Sequence, residues 1–141
     1  MKKKGLLILA AVLVFAPAAF ADQVVSPDKL PQRAKDLIAQ YFPGKTAQFA
    51  EADFNEYEVV LNDGSELNFS GSGDWKEIKS YTGVPAGLLP AGVTEYVNQN
   101  FPDVLILKAE KDWASIEVQL ANRMELYFDN NGKFLGQKFD D

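Results

Sequence analysis

Two pairs of glutamates are the residues best spaced to do chemistry. Glu58 and Glu66 lie eight positions apart, and Glu117 and Glu125 keep the same separation. Paired carboxylates act as general acid and base when their surroundings push the two pKa values apart. On an open surface they attract cations or steer a basic partner. Here they alternate with apolar residues, as in Tyr57-Glu58-Val59-Val60-Leu61 and Ile116-Glu117-Val118-Gln119-Leu120. That alternation is the period of a strand buried on one side, with the glutamates toward solvent. Nothing in the sequence points to their burial, so acid/base catalysis is not expected. Three readings remain: a surface for a cationic peptide or basic protein patch, a surface sensing a small molecule or divalent ion, or a solvated face that discourages aggregation.

The chain has no histidine and no cysteine. This removes Ser-His-Asp and Cys-His nucleophilic sites, ordinary zinc sites and histidine-ligated haem together. No cofactor or metal site is expected. Asp129-Asn130-Asn131-Gly132 resembles a calcium loop only in its first residues and lacks the later glutamate such a loop requires. Aromatic residues are the better contact candidates. Phe54 and Trp113 fall where turn tips are expected, and tips ordinarily carry small polar residues. A ring there either folds back over its own sheet edge or serves as an interface anchor. Tyr127, between Leu126 and Phe128, is expected to face outward beside the glutamates. Trp75 and Phe134 follow turns into strands and are expected in the core.

These candidates are positioned by a repeat. Shifting the chain by 59 positions brings residues 30–80 onto 89–139 without a gap. Leu30-Pro31 meets Leu89-Pro90, Phe42-Pro43 meets Phe101-Pro102, and Ala50-Glu51-x-Asp53 meets Ala109-Glu110-x-Asp112. Glu58-Val59-x-Leu61 meets Glu117-Val118-x-Leu120, Glu66-Leu67-x-Phe69 meets Glu125-Leu126-x-Phe128, and Gly73 meets Gly132. Each copy opens with apolar residues at helical spacing: Ala34, Leu37, Ile38 and Tyr41, then Val93, Tyr96, Val97 and Phe101. Pro31 suits the first helical turn, and Phe-Pro ends each helix because proline disfavours helical geometry in the residue before it. Strands follow, the first over 46–53 and 104–112, with Asn62-Asp63-Gly64 as a tight hairpin turn. Arg123 stands where the first copy has Gly64, which predicts a less tight second hairpin. The linker Tyr81-Thr82-Gly83-Val84-Pro85 reads as a fixed crossover. The predicted fold is α+β: a tandem repeat of a helix and a four-stranded antiparallel meander, with both helices on one face of a shared sheet of up to eight strands.

Ahead of the repeat, Lys2-Lys3-Lys4, the apolar run Leu6 to Phe15 and Ala19-Phe20-Ala21 form an export signal, with cleavage expected after Ala21. Residues 22–141 then form a single domain, expected in the periplasm. Removing residues 1–21, which hold three lysines and no acid, takes the net charge from −6 to −9. That opposes binding to nucleic acid or to anionic membrane surfaces. No later segment is long and apolar enough to suggest membrane insertion.

The ordered set Tyr57-Glu58-Val59-x-Leu61-x-Asp63-Gly64, Gly73-x-Trp75, Gly83-Val84-Pro85, Leu89-Pro90 and Asn100-Phe101-Pro102 resembles the PepSY-like family of exported bacterial proteins. Ile116 departs from it at the tyrosine of the Tyr-Glu-Val motif. The resemblance implies a fold like that of the beta-lactamase inhibitory protein, and an open sheet face. Together with the residues, it points to a non-enzymatic periplasmic module binding a protein or peptide, inhibitor-like in one version. The contact residues expected are Phe54, Trp113, Glu58, Glu66, Glu117, Glu125 and Tyr127.

Overall fold

The alternating segments pair into one antiparallel sheet in a computed structural model that describes residues 23–140. The strands are β1 (Gln23–Val24), β2 (Ala47–Ala52), β3 (Glu56–Leu61), β4 (Glu66–Ser70), β5 (Trp75–Lys79), β6 (Ile106–Lys111), β7 (Ser115–Leu120), β8 (Met124–Asp129) and β9 (Phe134–Phe139). They lie side by side in chain order. Helix α1 (Gln32–Tyr41) precedes β2, and α2 (Ala91–Asn100) connects β5 to β6. Among the described residues the sheet therefore has nine strands, where the sequence suggests up to eight. The additional strand is β1, whose Gln23 and Val24 pair with Ala52 and Glu51. Two residues are too few to carry an alternation pattern. The expected export signal lies outside the described residues.

The helices lie on one side because each has a single apolar stripe. Ala34 and Ile38 of α1, and Val93 and Val97 of α2, are buried. They pack on inward residues of every central strand, among them Val59, Leu67, Phe69, Ile78, Val118, Leu126 and Phe128. Ten-residue helices are marginal alone in water, so this docking is what holds them. Each helix begins one residue later than the prolines suggest. Pro31 and Pro90 are extended N-caps, and the Pro31 carbonyl accepts from the amides of Ala34 and Lys35. Each helix stops where expected, Phe42 N–H closing on Ile38 and Phe101 N–H on Val97.

The second hairpin is as tight as the first, contrary to the expectation from Arg123. Arg123 adopts φ +73° and donates its amide to Leu120 at 3.0 Å, as Gly64 does to Leu61 at 2.9 Å. The Asn122 side chain accepts from Met124 N–H, as Asp63 accepts from Ser65 N–H. The Arg123 guanidinium lies 5.3 Å from the Phe139 ring, a contact that offsets the left-handed conformation. Trp75 is buried in the core. Phe134 is half-buried, stacked on Tyr96 at 4.1 Å and edge-on to Phe128.

Candidate functional site

Strand register determines which side chains share the side of the sheet away from the helices. Val59 and Leu61 point to the core, so Glu56, Glu58 and Val60 point the other way. Following the pairing outward, one row across the sheet reads Glu51, Glu58, Asn68, Glu77, Glu110, Glu117 and Tyr127. A neighbouring row reads Val60, Glu66, Lys79, Lys108, Gln119, Glu125 and Lys138. Glu58, Glu66, Glu117, Glu125 and Tyr127 thus share the outer face, as their alternation predicts.

Glu51, Glu77 and Glu110 join them, and sequence reasoning did not single these out. Glu51 and Glu110 occupy matching positions in the 59-residue alignment, a signal that was present. Glu77 requires knowing that β5 pairs with β6, which no local pattern reveals. Like charges directly opposite are destabilising. Lysines relieve them: Lys108 lies 3.4 Å from Glu77 and 3.3 Å from Glu110, and Lys76 lies 2.7 Å from Glu56. These ion pairs are partly exposed, so they temper the negative charge of the face more than they stabilise the fold. A depression of about 340 Å³ lies among Glu56, Asn68, Lys76, Glu77, Glu110, Lys111 and Glu117.

The far end of the row is less exposed than the sequence suggests. The Glu125 side chain retains only 13% of its exposure. Tyr127 donates its hydroxyl proton to Glu125 at 2.9 Å, the largest cause holding that carboxyl below its ordinary value. Glu117 moves the other way. Burial raises it first, and its hydrogen bond to Glu125 and the charge of Glu110 raise it further. Glu117 is therefore the carboxyl of the pair that keeps a proton longer as pH rises. Glu117 lines the depression described above, and Glu125 lies outside its lining.

Phe54 and Trp113 project fully, at 92% and 91% exposure, and neither ring folds back over its sheet edge. Each sits in a turn closed by the preceding aspartate. Asp53 Oδ1 accepts from Asn55 N–H and Glu56 N–H. Asp112 Oδ1 accepts from Ala114 N–H and Ser115 N–H, both at 2.8 Å, and these bonds lower its pKa. Asn130 from the β8–β9 turn donates to the Trp113 carbonyl at 2.8 Å. Strands β2 and β6 run in the same direction, since alternate neighbours are antiparallel. Both rings therefore leave the same end of the sheet, four strand spacings or roughly 19 Å apart along a flat sheet. The turn at Asp129 spends its carboxylate on Asn131 N–H and Lys133 N–H, as a hairpin would. Among the described residues, no group of three or more carboxylates is placed to hold a metal ion. No described helix is long and apolar enough to cross a membrane.

Comparison with solved structures finds matches that include three crystal structures this chain covers almost from end to end. A "putative calcium-regulated periplasmic protein" from Bacteroides thetaiotaomicron is 34% identical with a TM-score of 0.78, covering 83% of this chain and 96% of that one. A "putative periplasmic protein of unknown function" from Bacteroides vulgatus is 29% identical with a TM-score of 0.79, covering 84% and 99%. Another periplasmic protein from Bacteroides vulgatus, likewise named putative, is 31% identical with a TM-score of 0.79, covering 85% and 98%. Comparison with curated proteins finds no match. Residues 55–136 match the family described as "Putative beta-lactamase-inhibitor-like, PepSY-like", and with more than half the chain inside that match, the protein belongs to the PepSY-like family.

Proposed function

We propose that this protein is a non-enzymatic periplasmic binding module that engages a protein or peptide through its outer sheet face. The observation that carries the reading is the pair of exposed rings, Phe54 and Trp113, braced at one end of that face. Solvating a large ring at a turn tip has no structural benefit, whereas rigid aromatics bury much area at small entropic cost when a partner arrives. Glu58, Glu66, Glu117, Glu125 and Tyr127 supply the polar surface beside them, which favours a partner with basic character. The family description favours an inhibitor-like version of the same contact. Residence in the periplasm agrees with the export signal and with the periplasmic descriptions of the similar structures.

The same reading includes an internal duplication of one helix and four strands. Bulges fall between Ala47 and Phe49 in β2 and between Ile106 and Lys108 in β6, and between Asn68 and Phe69 in β4 and Tyr127 and Phe128 in β8. Each pair is offset by the 59 residues found in the sequence. Duplication explains why both braced rings stand at the same end.

Photo-cross-linking in living cells tests the contact, with the reactive residue placed in turn at Phe54, Trp113 and Gln40. Gln40 is exposed on α1, on the helix side. The expected result is one shared adduct from the two turn positions and none from Gln40. Equal capture from all three positions, or no adduct from either turn, would overturn the proposal.

A further inference from the structure

Among the described residues, the helix side of the sheet holds a cation to which no carboxylate ion-pairs. Lys111 ends β6 and pairs with Ile116, whose side chain is buried, so Lys111 points toward the helices rather than the outer face. Its amine stands 4.4 Å from the centre of the Trp75 ring. That is a cation–π contact, which engages one side of the ammonium and leaves it without a carboxylate. Asp74, whose charge acts on the amine, pairs with Arg33, and Asp112, next in the chain, is bound by its own turn. The fold does not demand a lysine here, since Ala52 holds the matching place opposite Tyr57. Burial lowers the amine from its ordinary value more than the neighbouring Asp74 raises it.

The amine borders an unfilled groove. One lobe, about 460 Å³, is bounded by Trp75, Leu88, Leu89, Pro90, Ile116 and Trp113. A second lobe of about 270 Å³ shares Trp75, Leu88 and Lys111 and extends toward Leu37 and Tyr41. This is the seam between the two halves. Its size suits a small molecule; Asp112 and Asn130 also line the larger lobe, Arg33 and Asp74 the smaller, and Lys111 is the charged group common to both.

We propose that this seam groove binds a small amphipathic monocarboxylate, whose apolar body lies along Trp75 and Leu88 and whose carboxylate pairs with Lys111. A single charge is specified because Arg33, the other cation at the groove, is already engaged by Asp74. The site lies across the sheet from the outer-face carboxylates, shares Trp113 with the proposed partner contact, and does not rest on that reading.

Both tryptophans of the chain border the larger lobe, so tryptophan emission reports occupancy without a label. Phenylbutyrate is the probe, its neutral amide the control, and decanoate the aliphatic arm. The acid should quench saturably, and the amide should bind at least about tenfold more weakly, the scale of one charge-assisted contact. Tighter binding of decanoate than phenylbutyrate would assign the site to aliphatic acids. Lys111→Met should reduce acid affinity to that of the amide, and Lys111→Arg should retain it. Equal binding of acid and amide by the native protein, no saturable quenching by either acid, or unchanged affinity in a folded Lys111→Met variant would overturn the proposal. Should Lys111→Met not fold, the comparison of acid with amide on the native chain decides it.

Discussion

Glu117 faces Glu110 on one neighbouring strand and Tyr127 on the other, with Glu125 diagonal to it. Its carboxyl is raised above the ordinary 4.5, first by burial and then by these acidic neighbours. The folded protein therefore binds a proton here more tightly than the unfolded chain does. Stability from this group is present below 4.5 and is lost as pH rises through the folded value. At neutral pH the ionised Glu117 opposes folding. Glu117→Gln keeps the shape and removes the charge, so it should raise Tm at neutral pH. The gain should shrink to nothing once the pH falls below 4.5, where the native residue is also neutral. Thermal melts of both proteins across that range check the sign. A native protein keeping an unfavourable charge on its outer face is consistent with that face serving contact as well as stability.

The two helices are held against the sheet partly through glycine. Gly132, in the β8–β9 turn, has φ +91° and lies directly beneath the start of α2. A side-chain carbon built on Gly92 would run into the Gly132 carbonyl oxygen, and backbone on both sides cannot yield as a side chain could. Helix propensity alone favours Gly92→Ala by up to about 1 kcal/mol. The clash should dominate, with a net loss of about 1–3 kcal/mol. Gly136→Ala is the matched control, because nothing lies within 4 Å of its added carbon, and it should be close to neutral. Denaturant titration of the two variants separates close approach from glycine content. This contact also marks the limit of the sequence. Alternation located the strands near Val59, Leu67, Val118 and Leu126, and the Phe-Pro pairs located the helix ends, because those signals are local. The approach of Gly92 to Gly132 and the opposition of Glu77 to Glu110 arise only after distant segments meet. The positive φ of Arg123 escaped for another reason: the turn chemistry belongs to Asn122 and Phe139 rather than to the residue that adopts it. Lys111 escaped because an inward lysine at a strand end looks like any other surface charge.

At the scale of the molecule, the halves meet where β5 pairs with β6 through only three residue pairs: Glu77 with Glu110, Ile78 with Ala109, and Lys79 with Lys108. By contrast, β3–β4 and β7–β8 each have five. The seam nevertheless joins one core, because Ile78 is fully buried and lies between Leu67 and Ala109. Separating the halves would expose that side chain and the cores beside it, so neither half is expected to be stable without the other. Unfolding should therefore be one cooperative transition, with far-UV circular dichroism and the emission of buried Trp75 giving the same midpoint. Ile78→Ala removes the side chain that bridges the seam. It should cost about 2–5 kcal/mol, as cavity-forming core truncations do. If the halves share one core, both probes should move together to a lower Tm. If each half were an independent body, the same substitution would split the melt into two steps, with the half containing β6–β9 unfolding at its original temperature. One coincident shift would also show that the groove on the seam borders a core shared by both halves of the described residues.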